Sequence, residues 1–169
     1  MKETILYYEQ TPELLTKVEA MKEKLVASAM KELGLSRNEL TIRDIRAADL
    51  DSSLNAFAWT PSGTDTYYSW IDDKTVGNLK FLGIYGYYDG TWAAAGGITS
   101  IKITVAGKTV AELPVQCISS AQDKVVYFDP IFADQNTNIT IAGYPMGDNT
   151  IAIQGVFGIV VEKKGLTID

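Results

Sequence analysis

The chain has no histidine and one cysteine in 169 residues. Without imidazole there is no side chain whose unperturbed pKa lies near neutrality. Ser/His/Asp and Cys/His catalytic arrangements and most zinc sites are lost with it. Cys117 alone can form neither an intrachain disulfide nor a cysteine metal cluster. Set between Leu113-Pro114-Val115-Gln116 and Ile118, it reads as a small buried hydrophobe. Basic clusters are also scarce: nothing is denser than Lys22-Glu23-Lys24 or Lys163-Lys164, in a chain of net charge −6 and pI about 4.7. Such a surface does not attract a phosphate backbone, so direct nucleic-acid binding is not expected. No window approaches the roughly 18 apolar residues of a membrane helix. The first nine residues lack the apolar centre of a signal peptide. The expectation is a protein made and used in water, with no membrane contact.

The residues that are present describe one ordinary globular domain, 46% hydrophobic and 21% charged, long enough to bury a core without covalent staples. It divides into an N-terminal helical segment, 1–35, and a β-sandwich, 36–169. Thr11 suits an N-cap, Pro12 the first helical position, and Glu13 the positive end of the helix dipole. Leu14, Val18, Met21, Leu25 and Ala29 then recur at three- and four-residue steps, with Leu15, Val26, Met30 and Leu33 widening the stripe. Gly34 follows as a C′ residue. A coiled-coil seam would need apolar residues at Ser28 and Glu32, so the stripe fits packing on a sheet or on a neighbouring subunit. Ser36 and Glu39 form a capping-box pair, while Leu40, Thr41 and Ile42 favour an extended segment over 40–46.

Beyond residue 50 the pattern changes to short runs of β formers broken by Gly, Asn, Asp and Pro. Strands are predicted near 54–60, 66–71, 78–88, 98–105, 108–116, 124–129, 137–144 and 150–162. Ala106-Gly107 joins two of them as a two-residue hairpin turn. About eight strands without helical crossovers predict an antiparallel, jelly-roll-like β-sandwich preceded by an amphipathic helix. Two strands are apolar on both faces. In 78–88, Leu79, Phe81, Tyr85 and Tyr87 alternate with Leu82, Ile84 and Tyr88. In 150–162, Ile151, Ile153, Phe157, Ile159 and Val161 oppose Ala152, Val156 and Val160. One sandwich layer covers only one face, so the helix or another subunit must cover the other. This predicts a homo-oligomer, a trimer in the first instance, with Leu14, Val18, Met21, Leu25, Tyr85, Tyr87 and Trp92 at the assembly interface. On that reading a chain starting near Ser36 folds by itself and loses only its assembly.

The candidate chemistry is sparse. Asp72-Asp73, Asp49 with Asp51, and Asp129 with Asp134 are the carboxylate pairs, none at the spacing of an ion loop, and all read as solvated turn residues. Ala93-Ala94-Ala95-Gly96-Gly97 lacks the Lys-Ser/Thr of a phosphate cradle. No catalytic residue, metal ligand or cofactor is therefore expected. Aromatics are more telling: Tyr67, Tyr68, Trp70, Phe81, Tyr85, Tyr87, Tyr88 and Trp92 crowd into residues 67–92, as core, as a sugar-stacking platform, or as an interface hot spot.

The order of Thr41 to Leu50, Ile84-Tyr85-Gly86-Tyr87-Tyr88-Asp89, the hairpin Ile101 to Glu112, Val126 to Ile131, and the terminal strand ending Gly158 to Gly165 resembles small β-sandwich virion proteins. These decorate the capsids of bacterial and archaeal viruses. The resemblance covers roughly 40–168. It implies a non-enzymatic capsid decoration or minor capsid subunit, made in the host cytoplasm and placed on the capsid surface. Its partners would be itself and other capsid proteins. The alternative is a carbohydrate-binding or adhesin-type module using the aromatics of 67–92. An acid–base hydrolase ranks third.

Overall fold

The computed structural model describes residues 6–7, 9–60, 66–89, 98–114, 125–145 and 152–166. The helix forms where its caps allow. In α1, Pro12–Leu33, the Thr11 hydroxyl accepts from the Leu14 amide at 3.2 Å, and Gly34 closes the C-terminus with φ of 66°. A 3-10 turn, Arg37–Glu39, follows, in which Glu39 accepts from the amide and hydroxyl of Ser36. The capping box thus starts a single turn, and the chain then extends.

The strands are β1 Leu6–Tyr7, β2 Leu40–Asp44, β3 Ala58–Trp59, β4 Tyr68–Thr75, β5 Lys80–Asp89, β6 Ile98–Val105, β7 Lys108–Pro114, β8 Val125–Ala133, β9 Asn138–Pro145 and β10 Ala152–Lys163. A one-turn helix, α2 Ala47–Leu50, lies between β2 and β3. Of the expected strands, 54–60 shrinks to two residues. β1 and α2 were not anticipated. At the hairpin, Ala106 and Gly107 both have positive φ, as a type I′ turn demands.

All pairing is antiparallel. A six-stranded sheet runs β1-β8-β5-β10-β2, with β3 also pairing β10, and a four-stranded sheet runs β4-β9-β6-β7. Setting aside the two-residue β1 and β3, eight strands remain, and they pair from the outside in. β2 takes β10, β4 takes β9, β5 takes β8, and β6 takes β7. This is the nested ladder of a jelly roll, wrapped so that alternate pairs fall in opposite sheets.

The sheets enclose a core built from Ile71, Leu82, Ile84, Tyr87, Ile101, Ile103, Leu113, Val126, Phe128, Ile141, Val156 and Val160, among others. A second core lies on the opposite, outer face of the large sheet. There Met21, Leu25, Val26 and Ala29 of α1 meet Leu40, Phe81 and Val161. Gly83 lets the helix come close, since a Cβ there would run into Met21 and Leu25. Lys17 adds ion-pair contact to Asp129 of β8 at 2.8 Å, and Lys24 sits 4.0 Å from the Phe132 ring centroid. The molecule has three layers: helix, large sheet, small sheet.

This placement corrects the interface expectation. Leu14, Met21 and Leu25 are at most 1% exposed within the single chain, so they offer nothing to a neighbour, and Met21 and Leu25 hold the helix on its own sheet. Tyr87 is also fully buried, in the inter-sheet core. It was grouped with Phe81 by simple alternation, but a bulge at Tyr85 breaks the register between Ile84 and Gly86. The extra residue turns Tyr87 to the side of Leu82 and Ile84. Val18 is half-buried against the helix cluster, and Trp92 lies outside the described residues.

Candidate binding site on the outer face of the large sheet

α1 covers one half of this face. The other half carries a ladder of aromatic rings. Tyr127 of β8 and Phe157 of β10 flank Gly86 of β5 in register, and with no side chain between them their centroids stand 5.7 Å apart. A Cβ on Gly86 would lie 2.9 Å from Tyr127 and 3.1 Å from Phe157. One step along, the Tyr88 ring lies directly on Gly155, where any Cβ would overlap it. Strand-interior glycines commonly mark such close approaches. The ladder continues from Tyr85 stacked on Tyr127 (6.4 Å, 13°), through Tyr88 on Phe157 (5.5 Å), to Phe57 edge-on to Tyr88 (6.3 Å). Phe57 then meets Trp70 of the small sheet at 6.2 Å. Tyr85, Tyr88, Tyr127, Phe157 and Phe57 all remain partly exposed.

At the β10–β2 side the ladder opens into a cleft of about 300 Å³ lined by Asp44, Ile45, Phe57, Tyr85, Tyr88, Val156, Phe157 and Gly158. Burial raises the Tyr85 phenol above its ordinary pKa, and the nearby Asp44 carboxylate adds to this. Burial likewise raises Tyr88. Both phenols are therefore neutral donors at physiological pH. Asp44 is exposed, and no described residue hydrogen-bonds or ion-pairs with its carboxylate.

The crowd at 67–92 does not form one surface. Trp70, Phe81 and Tyr87 are core. Tyr67 lies on the small sheet's outer face, where its hydroxyl meets Ser100 and Glu112 at 2.9 Å, Tyr144 packs edge-on, and Lys102 approaches the ring. Among the described residues of that window, only Tyr85 and Tyr88 reach the cleft. Their companions Phe57, Tyr127 and Phe157 lay outside the window. The glycines beside them, in Gly155-Val156-Phe157-Gly158 and Gly86-Tyr87-Tyr88, were the signal that could have found them.

The carboxylates also sort differently from expectation. Asp49 is not a solvated turn residue. Its side chain is 3% exposed and takes both Arg43 guanidinium nitrogens at 2.6 and 2.7 Å, Lys80 at 3.0 Å and the Arg46 amide at 2.8 Å. Arg43 also bridges Glu162, at 3.0 and 3.1 Å. Burial would raise the Asp49 carboxyl, but these donors outweigh it and hold it below the usual range. Among the described residues the network sets two cations against two anions and ties β2, β5, β10 and α2 together. A cleft of about 380 Å³ lies beside it, lined by Asp49, Asp51, Lys74, Gly77 and Lys80. Its lysines are engaged, Lys74 with Asp51 at 3.1 Å and Lys80 with Asp49. Asp129 is paired with Lys17, while Asp72, Asp73 and Asp134 are exposed. Among the described residues no cluster of three or more His, Cys, Asp or Glu could hold a metal, and no helix is long and apolar enough to cross a membrane.

No protein-family model and no curated protein matches this chain.

Proposed function

We propose that the protein is a virion structural subunit, a capsid decoration or minor capsid protein that acts by contact. Two features support this reading. The fold is a jelly roll, an architecture recurrent in capsid and lectin domains. The outer aromatic half-face is the largest concentration of partly exposed rings among the described residues, the residue types favoured at the centres of interfaces. The half-face carries the proposal. Its contacts would be with other capsid proteins and with further copies of the same chain.

Light scattering at micromolar concentration tests the self-association. The expected result is a homo-oligomer, a trimer first of all, that a Tyr127→Ser variant, at the end of the ladder away from the cleft, converts to the 18.5 kDa monomer. A wild-type monomer that also fails to bind capsid shells removes the reading. A second reading, a carbohydrate-binding or adhesin-type module, is favoured by one observation: the aromatic cleft also offers a carboxylate and two phenols to sugar hydroxyls. An oligosaccharide array tests it.

A further inference from the structure

We propose that the cleft between Phe57, Tyr85, Tyr88 and Phe157 receives an arginine side chain presented by a partner protein, with Asp44 as its counter-ion. The inference rests on reading the half-face as a contact surface with another capsid protein. Three observations select this occupant. The cleft, at about 300 Å³, is at the small end of ligand sites, suiting one side chain better than a whole oligosaccharide. Its walls are tyrosine and phenylalanine rings, whose negative faces attract a cation and stack on a planar guanidinium. Its one charge is the Asp44 carboxylate, exposed and unpartnered among the described residues, with acceptor positions for two parallel N–H donors. A quaternary ammonium would satisfy the rings but has no N–H for that carboxylate. A lysine would meet it at a single point.

The chain cannot supply the arginine from a second copy without breaking contacts of its own. It has three arginines. Arg37 is clamped by Glu23 at 2.7 and 2.8 Å, Arg43 is in the buried network, and Arg46 is also engaged. The net charge of −6 further favours a basic partner.

The test uses the full chain, N-acetyl-arginine amide as probe, and the uncharged N-acetyl-citrulline amide and methyl glucoside as controls, followed by amide NMR shifts. The expected result is saturable shifts at Asp44, Tyr85, Tyr88 and Phe157 with the arginine probe, and binding at least about tenfold weaker with citrulline. Asp44→Asn, at an exposed position, should keep the fold and erase that difference. Tyr88→Leu should weaken arginine binding independently. Equal binding of citrulline and arginine, tighter binding of methyl glucoside, or no shift by about 50 mM arginine amide overturns the proposal. Light scattering on the same samples separates this failure from a failure of assembly: an intact oligomer without arginine binding removes the cleft's role and leaves the contact surface standing.

Discussion

The large sheet's outer face is one surface finished in two ways. Over Phe81, Gly83 and Val161 an amphipathic helix supplies aliphatic side chains from a distant segment and closes the face to water. Over Gly86 and Gly155 the sheet supplies its own rings, which lie across its glycines and stay partly exposed. The same strands serve both halves, so strand pattern alone does not set the difference. The helix is 22 residues long, about 33 Å at 1.5 Å per residue. Its burial removes one half-face from any role in recognition and leaves the other as the accessible apolar surface.

Removing the helix is the strongest way to break this comparison. A chain beginning at Ser36 would expose Phe81, Val161 and Leu40 together. Each large side chain that loses burial forfeits about 1.5–3 kcal/mol, against a total stability of about 5–15 kcal/mol. The expected outcome is an insoluble or unfolded product by circular dichroism and sedimentation. This reverses the expectation, drawn from the sequence, of an independently folding sandwich. A soluble, β-rich chain would show that the helix is dispensable after all.

The Arg43 network is the next largest effect. Arg43→Ala leaves Asp49 and Glu162 buried with Lys80 as the remaining cation beside them among the described residues, and breaking such a cluster from one side costs about 3–5 kcal/mol. Urea denaturation reads it directly. Because the folded state holds Asp49 below its unfolded pKa, the unfolded chain binds the proton more tightly. The contribution is therefore complete above about pH 5, begins to fall in the ordinary aspartate range and is lost as pH drops through the lowered folded-state pKa. Wild type should lose stability on acidification more steeply than Asp49→Asn, whose reference stability is already lower.

Much of this was legible in the sequence. Thr11, Pro12 and Gly34 fixed the helix ends because capping is local chemistry, and Ala106-Gly107 fixed its hairpin for the same reason. An antiparallel sandwich of about eight strands followed from the short β runs and the absence of helical crossovers, but the nested pairing order did not. What stayed hidden depends on distant pairing. Nothing near Asp49 in sequence announces Glu162 and Lys80, which reach it only across β10 and β5. The bulge at Tyr85 moved Tyr87 from one face to the other, a shift that period-two counting cannot register. The double apolarity of β5 and β10 was read correctly. The chain's own helix accounts for half of it, and the aromatic half-face for the rest.

A matched pair of glycines sharpens the contrast at smaller magnitude. Alanine at Gly83 drives a methyl into Met21 and Leu25 beneath a helix anchored at both ends, and overpacking of that kind costs about 1–3 kcal/mol. Alanine at Gly155 meets the Tyr88 ring first, which is partly exposed and can swing towards water. Its cost should fall near the lower bound of that range, while the cleft loses a wall. Thermal denaturation should rank Gly83→Ala as the more damaging, and arginine-probe binding should rank them the other way. The same order in both assays would mean that the two halves are not separate in function.

The smallest effect concerns the interior beneath the aromatic half-face, and its sign is the informative part. The Tyr87 hydroxyl is fully buried and finds no hydrogen-bond partner among the described residues, and neither does either polar atom of the Gln154 side chain. Burial pushes the Tyr87 phenol well above its ordinary pKa, with the Asp89 carboxylate adding to the shift. An unpaired buried polar group costs about 1–3 kcal/mol relative to an apolar one of the same shape. Tyr87→Phe keeps the ring and removes the orphaned oxygen, so it should stabilise the fold by up to about 1 kcal/mol, as a rise in the urea midpoint at unchanged m-value. The helix-covered core has no equivalent orphan among its described side chains, so apolar changes there can only cost. If Tyr87→Phe destabilises instead, the hydroxyl has a partner in solution, and this end of the sandwich is a satisfied polar chamber, not a core left with an unpaired group.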